Sequence, residues 1–92
     1  MASSPSPLPN DMVYIATFYS HFGAIRFHKQ CAQQGVEVRL MPVPRALSSS
    51  CGTCARFVSS SPCPLGEWGD EVEQVVIDTG NGYESIYRAE NG

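Results

Sequence analysis

The sequence predicts an α+β domain with the element order βαββαβ, in which one antiparallel sheet carries two helices on one face. Three observations support this fold class. Short apolar segments with β-branched residues recur along the chain and have the length of strands. Two longer segments repeat apolar residues at helical spacing. The chain has 92 residues, which is the size of one domain.

The first strand and the first helix follow a Ser- and Pro-rich start. Residues 12–17 are apolar and partly β-branched, which is typical of a strand. Ser20 is a suitable N-cap for a helix over residues 21–34. Gly35 is the glycine expected at the C-terminal end of that helix.

One side of this helix is predicted to be apolar and to face the core. Phe22, Ile25 and Ala32 fall on that side, and Cys31 lies beside them as a small buried residue. His28 is expected to be structural or exposed.

Two further strands are predicted on either side of a loop. Residues 36–41 alternate apolar and charged side chains, and Pro42 ends this strand because proline cannot donate to a sheet. Residues 53–58 are expected to form a short third strand. The succession of strand, helix and strand predicts a βαβ unit with a right-handed crossover.

The second half is predicted to contain one more helix and one more strand. The helix is expected over residues 65–79, where apolar residues match the helical spacing, and Gly80 ends it. Asn81 and Gly82 form a turn pair, and residues 83–89 are predicted to form the fourth strand. The complete order is that of the split βαβ, or ferredoxin-like, arrangement. An edge strand of such a sheet can pair with a second copy, so a homodimer is a further expectation.

The chain is expected to consist of a disordered tail over residues 1–10 and a single ferredoxin-like domain over residues 11–92. The tail lacks the regions of a secretory signal, and no apolar run has the roughly 20 residues of a membrane helix. These features predict a cytoplasmic protein with no membrane partner, whose four cysteines are not structural disulfides. A net charge of −3 disfavours nucleic-acid binding through phosphate neutralisation.

Cys51 is the strongest candidate for chemistry. It follows three serines, Ser48, Ser49 and Ser50, and it precedes Gly52. Glycine at that position lets the backbone approach a bound group closely. The hydroxyl and backbone N–H groups of this loop can hydrogen-bond a thiolate or a terminal sulfur atom.

Charged and basic side chains are expected near Cys51. Arg45 and Arg56 flank it in the sequence and are predicted to favour its negative charge. His21 follows a strand at the start of a helix, and it is a candidate base for the cysteine. The chain has no phosphate-binding glycine loop and no G-x-S-x-G motif, which disfavours a conventional enzyme.

The pair Cys51 and Cys54 forms a C-x-x-C motif, which suits a redox dithiol or half of a zinc site. No long helix is predicted directly after the pair, unlike in thioredoxins. A zinc site would take Cys63 and one histidine as further ligands. Cys63 is also expected at the N-terminus of the second helix, where the helix dipole lowers the pKa of a thiol.

Several runs of residues resemble one known family. They are Thr17 to His21 with Ala24, Gly35-Val36, Leu40 to Arg45, Ser48 to Gly52, and Arg56-Phe57. Together they resemble the family of small bacterial domains of unknown function described as putative selenium/sulfur carrier protein-like. The cysteines at positions 54 and 63 and the Ser-Pro tail depart from the family pattern.

The resemblance implies that Cys51 holds a sulfane sulfur or selenium atom and passes it to a partner. The partners would be a donor, such as a cysteine desulfurase, and an acceptor protein. The three serines and Gly52 would hold the terminal atom, Arg45 would stabilise its charge, and His21 would manage protons. No cofactor is expected beyond the cysteine-bound atom, with zinc as an alternative.

Two other function classes stay open at this point. The domain can be a metal-binding or thiol-redox module that uses Cys51, Cys54 and Cys63. It can also be a non-catalytic interaction domain, in which every cysteine would be replaceable without loss of partner binding.

Overall fold

A computed structural model describes residues 11–89, so the predicted tail over residues 1–10 and the last three residues lie outside the described part of the chain. Within it the chain forms one helix and five strands. Their bounds are β1 (Met12–Phe18), α1 (His21–Gln33), β2 (Glu37–Pro42), β3 (Thr53–Ser59), β4 (Val72–Asp78) and β5 (Tyr83–Arg88). Apart from β4, each element begins and ends within one residue of its predicted bounds.

All five strands join one antiparallel sheet in the order β2-β3-β1-β4-β5. Strand β1 lies at the centre and pairs with β3 on one side and β4 on the other. Strands β1 and β2 run in the same direction, with β3 between them, and α1 connects the two. The parallel βαβ unit expected from the first half of the sequence is therefore present, with β3 inserted between its two strands.

The expected two-helix ferredoxin-like βαββαβ fold is wrong, because the segment predicted as a second helix contains a strand. Gly66 and Gly69 have φ values of +91° and +80°, which belong to the left-handed region and interrupt a right-handed helix. Residues 72–78 hold three valines and an isoleucine, and these β-branched side chains favour a strand. The β3–β4 connection (residues 60–71) is consequently a loop, and β4 and β5 form a hairpin.

The main core lies between α1 and the sheet. Four aromatic rings fill it, with centroids 5.3 Å apart for Tyr14 and Phe57, 5.3 Å for Phe18 and Phe27, and 5.4 Å for Phe27 and Phe57. All four side chains are almost completely buried. Burying each of them stabilises the fold by roughly 1.5–3 kcal/mol relative to an exposed position.

The opposite face of the sheet carries a smaller apolar cluster. Ile15, Cys54 and Val76 form it, and Met41, Val43 and Leu47 pack against it. Val43 and Leu47 belong to the β2–β3 loop (residues 43–52), so this loop partly covers the face of the sheet that lies away from α1.

The apolar side predicted for α1 is not the side that the structure buries. The buried residues of the helix are Gly23, Ala24, Phe27 and Cys31. The side chains of Phe22 and Ile25 are 62% and 55% exposed. Apolar residues occupy two sides of this helix, and only Phe27 is oriented to join the aromatic core.

The predicted start and end of α1 are confirmed. The Ser20 hydroxyl accepts a hydrogen bond from the Gly23 N–H at 3.2 Å, as an N-cap does. Gly35 has a φ of +78°, and the Val36 N–H then donates to the Cys31 carbonyl oxygen at 2.9 Å.

The start of α1 is held close to the end of the β3–β4 connection. The Tyr19 N–H donates to the Glu71 carbonyl oxygen at 3.1 Å. A Cβ atom added to Gly23 would lie only 2.8 Å from the Cβ atom of Glu71, so a glycine is required for this approach. The contact brings the first residues of β4 next to the start of α1.

Within residues 11–89 no helix is long and apolar enough to cross a membrane.

Candidate functional site

The β2–β3 loop places Cys51 at the edge of the sheet where β1 and β2 end and β3 and β4 begin. The strand register defines this edge, since Thr17 near the end of β1 pairs with Cys54 near the start of β3. The loop is closed at its base by a hydrogen bond of 3.1 Å from the Val43 N–H to the Gly52 carbonyl oxygen. Gly52 has a φ of +77°, a left-handed conformation that favours glycine.

Cys51 is half-buried and hydrogen-bonded to its own loop. Its thiol donates to the Thr53 carbonyl oxygen at 3.4 Å, and its backbone N–H donates to the Ser49 hydroxyl at 3.3 Å. The Ser49 hydroxyl in turn donates to the Phe18 carbonyl oxygen at 3.3 Å, at the end of β1. These contacts hold the cysteine against the central strand, with its sulfur on the same side as α1.

Thr53 connects Cys51 to His21. The His21 ring atom Nδ1 lies 2.8 Å from the Thr53 hydroxyl oxygen, and the tautomer of the ring decides which of the two donates. Thr53 lies on the same face of β3 as Ala55 and Phe57, which is the face toward α1. His21 is the first residue of α1, so the helix start and the strand start bring the two side chains together.

Ser50 connects the β2–β3 loop to β4. The Glu73 carboxylate accepts one hydrogen bond from the Ser50 N–H at 3.1 Å and another from the Ser50 hydroxyl at 2.8 Å. Both bonds are exposed to solvent, so they orient the loop more than they stabilise the fold. A carboxylate is thereby held beside the residue that precedes Cys51.

Cys54 faces away from Cys51, although the two belong to one C-x-x-C motif. It is fully buried in the cluster on the opposite face of the sheet, and its thiol contacts the Pro42 carbonyl oxygen at 3.7 Å. Burial, and to a smaller degree the neighbouring Cys51, raises the pKa of the Cys54 thiol from 9.0 to about 11. The structure therefore does not bring Cys51 and Cys54 together as a dithiol.

The other two cysteines also differ from Cys51. Burial raises the pKa of Cys31 to about 11 within α1. Burial raises the pKa of Cys63 as well, the Glu67 carboxylate adds to the rise, and a hydrogen bond from the Gly66 backbone opposes it. The prediction that a helix dipole lowers the pKa of Cys63 is wrong, because no helix begins there.

The remaining predicted site residues do not all lie on the side of the sheet that carries Cys51. Arg45 and Ser48 are exposed on the β2–β3 loop, on the same segment as Cys51. Arg56 pairs with Ile15 in the β1–β3 register, so it lies on the face of Cys54 rather than on that of Cys51. Among residues 11–89 no three His, Cys, Asp or Glu side chains form a group that could hold a metal ion.

Two residues of the site were not predicted from the sequence. Thr53 stands between the two cysteines of the C-x-x-C motif, and the period-two alternation of β3 was a signal that it faces α1 and His21. Glu73 was assigned to a helix, so its position at the start of β4 beside Ser50 was missed.

Fold and site together define a small α+β domain that presents one half-buried cysteine in a serine- and glycine-rich loop at the edge of an antiparallel sheet. Residues 13–88 match the model of the family described as putative Se/S carrier protein-like, and the chain belongs to this family. No curated protein and no solved structure matches the chain significantly.

Proposed function

We propose that this domain carries a sulfane sulfur or selenium atom on Cys51 and passes it to a partner protein. The observation that carries the proposal is the position of Cys51, half-buried in the β2–β3 loop within a chain that belongs to a family of this description. Its backbone and thiol are held by Ser49 and Thr53, so the sulfur atom has a defined orientation.

The environments of the other cysteines support Cys51 as the carrier. Cys31 and Cys54 are fully buried and their pKa values are raised to about 11, so they stay as thiols near neutral pH and have no access to a partner. The pKa of Cys63 is also raised, in part by a neighbouring carboxylate. A thiol must become a thiolate to act as a nucleophile, which disfavours all three.

The transfer needs no oxidant or reductant, because each step exchanges one sulfur–sulfur bond for another. The Cys51 thiolate attacks the terminal sulfur of a persulfide on the donor. A bond forms between the Cys51 sulfur and that atom, the donor's sulfur–sulfur bond breaks, and the donor leaves as a thiolate. An acceptor thiolate then attacks the terminal atom and releases the Cys51 thiolate. With selenium as the terminal atom, sulfur–selenium bonds replace the sulfur–sulfur bonds.

Space for the terminal atom and for an incoming thiolate is available beside Gly52. Apart from residues 51–53 themselves, no atom of the described chain lies within 4 Å of the place where a Cβ atom of residue 52 would be. The backbone N–H of Gly52 and the exposed hydroxyl of Ser48 are the groups we assign to the terminal atom, because the Ser49 and Ser50 hydroxyls already donate to the Phe18 carbonyl oxygen and the Glu73 carboxylate. Arg45 is exposed on the same loop, and we assign to it the stabilisation of the negative charge on the terminal atom.

His21 is assigned to proton management at this site, acting through Thr53. Its ring contacts the hydroxyl of Thr53, while the carbonyl oxygen of Thr53 accepts the hydrogen bond of the Cys51 thiol. His21 is thus a positioning residue for the group that orients the thiol, and it lies at the same edge of the sheet.

Intact-mass spectrometry after sulfur loading tests the proposal. Freshly reduced protein is incubated with a cysteine desulfurase and L-cysteine, and in a parallel sample with an inorganic polysulfide as donor. The wild-type chain should gain the mass of one sulfur atom, and the Cys51→Ser variant should gain none. Selenocysteine in place of L-cysteine as the desulfurase substrate supplies a selenium atom already bonded to the donor's sulfur, so the same exchange compares the two atoms.

Cys63→Ser is the matched control, because Cys63 is the other partly exposed cysteine. This variant should load like the wild-type chain. Loading of Cys51→Ser at a wild-type level, or no loading of the wild-type chain by either donor, would refute Cys51 as the carrier.

A further inference from the structure

A cleft of about 390 Å³ lies between α1 and the end of the β3–β4 connection. We call it the α1 cleft. The helix contributes Arg26, Gln30 and Gln33 to its lining, and the facing segment contributes Glu67, Trp68 and Glu71. Its volume falls in the range of about 300–1,000 Å³ that is typical of small-molecule sites.

The α1 cleft is built by the close contact between Gly23 and Glu71. This contact fixes the end of the β3–β4 connection on the first turn of α1. Phe18, Phe27 and Val72 form an apolar base, and their side chains belong to the main core. The base is therefore as rigid as the core itself.

The wall opposite the helix is also held in place. The indole N–H of Trp68 donates to the Pro62 carbonyl oxygen at 2.9 Å. The Trp68 ring stacks on Tyr87 with a centroid distance of 4.0 Å, which ties the wall to β5. A wall fixed in this way needs little ordering when a ligand binds.

Opposite charges line the α1 cleft without neutralising each other. Within residues 11–89 neither Glu67 nor Glu71 forms an ion pair with Arg26. The Arg26 guanidinium lies 5.1 Å from the centroid of the exposed Phe22 ring. The glutamine amides beside it can donate and accept hydrogen bonds.

We infer that the α1 cleft binds a small zwitterion of the α-amino-acid type. Arg26 pairs with the carboxylate of the ligand, and Glu71 pairs with its ammonium group. The ligand's side chain rests on the apolar base. Gln30 completes the hydrogen bonds of the carboxylate. Cys51 does not line the α1 cleft, so this inference does not rest on the carrier function.

Fluorescence titration with L-methionine tests the inference, because this amino acid has an apolar side chain and no thiol. Trp68 is the single tryptophan of the chain and lines the α1 cleft, so its emission reports binding there. We expect a saturable change, with a matching heat in calorimetry. Propionate and ethylamine carry only one of the two charges, and each should bind at least about tenfold more weakly, the effect of losing one charged pair.

Three variants locate the site. Arg26→Gln and Glu71→Gln keep most of the side-chain volume and should each weaken L-methionine binding at least about tenfold. Lys29→Gln removes a charge from the same helix outside the α1 cleft and should leave the affinity unchanged.

Cys51→Ser should bind L-methionine like the wild-type chain, which separates this site from the carrier site. The inference is overturned if neither fluorescence nor calorimetry shows saturable binding. It is also overturned if Arg26→Gln and Glu71→Gln both retain the wild-type affinity, or if propionate binds as tightly as L-methionine.

Discussion

The four cysteines of the chain experience four different surroundings, and burial separates them more than sequence spacing does. Cys31 is packed between α1 and the sheet, Cys54 lies in the cluster on the opposite face, and Cys63 lies in the β3–β4 connection. Cys51 combines partial exposure with hydrogen bonds to Ser49 and Thr53. The reactivity of the thiols toward external reagents should follow their exposure, so Cys51 should react readily and the buried Cys31 and Cys54 should react slowly.

The buried thiols make stability depend on alkaline pH. The pKa values of Cys31 and Cys54 are about 11 in the folded chain and 9.0 when unperturbed, so the unfolded state loses these protons first. Their contribution to stability is complete below pH 9 and is lost as the pH rises toward 11. The free energy of unfolding should therefore fall over this range.

Urea denaturation at pH 8 and pH 10.5, with reductant present, measures this fall. A Cys31→Ala/Cys54→Ala variant should show a smaller fall than the wild-type chain, by at most about 1.4 kcal/mol for each pH unit and each thiol. All other side chains are the same in the two proteins, so the difference isolates the two thiols. Equal pH dependence in the two proteins would contradict the raised pKa values.

The candidate site was predictable from the sequence only where neighbours in the chain are neighbours in space. The serines, Gly52 and Cys51 share one loop, and His21 follows a well-predicted strand. The alternation of β3 indicates the face on which Thr53 lies, whereas Glu73 approaches the site through strand pairing, which no local pattern of residues encodes. The placement of Arg56 likewise depends on the alternation of β3, because consecutive residues of a strand point to opposite faces.

At the scale of elements, β4 shows why apolar spacing alone predicted a helix. Val72, Val75 and Val76 fit a helical period, but an irregularity in the pairing of β1 with β4 lets Val72 and Val75 share the face toward α1, while Val76 points to the other face by ordinary alternation. A strand with two covered faces loses its simple alternation. The turn pair Asn81 and Gly82 was the better signal, because Asn-Gly between β-branched runs is typical of a hairpin.

Helix α1 provides a direct test of which of its apolar sides is buried. Phe27→Ala should lower the free energy of unfolding by about 3–5 kcal/mol, because the ring contacts Phe18 and Phe57 in the main core. Phe22→Ala should lower the free energy of unfolding by less than about 1 kcal/mol, because this ring is exposed and its stacking partner is the Arg26 guanidinium on the surface of the helix.

The two variants are compared by urea denaturation under the same conditions. They carry the same substitution on the same helix, so the intrinsic helix propensity cancels. A larger loss of unfolding free energy for Phe22→Ala than for Phe27→Ala would indicate that the side of Phe22, as predicted from the spacing, faces the core.

At the scale of the whole molecule, one sheet separates the two apolar clusters and belongs to both. The central strand β1 contributes Tyr14, Ala16 and Phe18 to one cluster and Ile15 to the other. Neither cluster can be lost while β1 keeps its neighbours. Strands β2 and β5 each have one partner strand within residues 11–89, and pairing of such an edge with a second copy stays a prediction.

This shared sheet predicts a single cooperative unfolding transition. Circular dichroism reports the sheet and the helix, while Trp68 fluorescence reports the packing of the β3–β4 connection on Tyr87. The two signals should coincide across a urea titration. A fluorescence change at lower urea would show that the connection opens before the sheet.

The opposite orientations of Cys51 and Cys54 have a consequence under oxidising conditions. A disulfide requires its two Cα atoms within about 7 Å and its Cβ atoms pointing toward each other. Cys54 points into an apolar cluster beneath Met41, Val43 and Leu47, so it cannot reach Cys51 without unfolding the edge of the sheet. Peroxide should therefore oxidise Cys51 to a sulfenic acid that condenses with glutathione or with a thiol of a second chain, with loss of water, and Cys54 cannot serve as the resolving thiol.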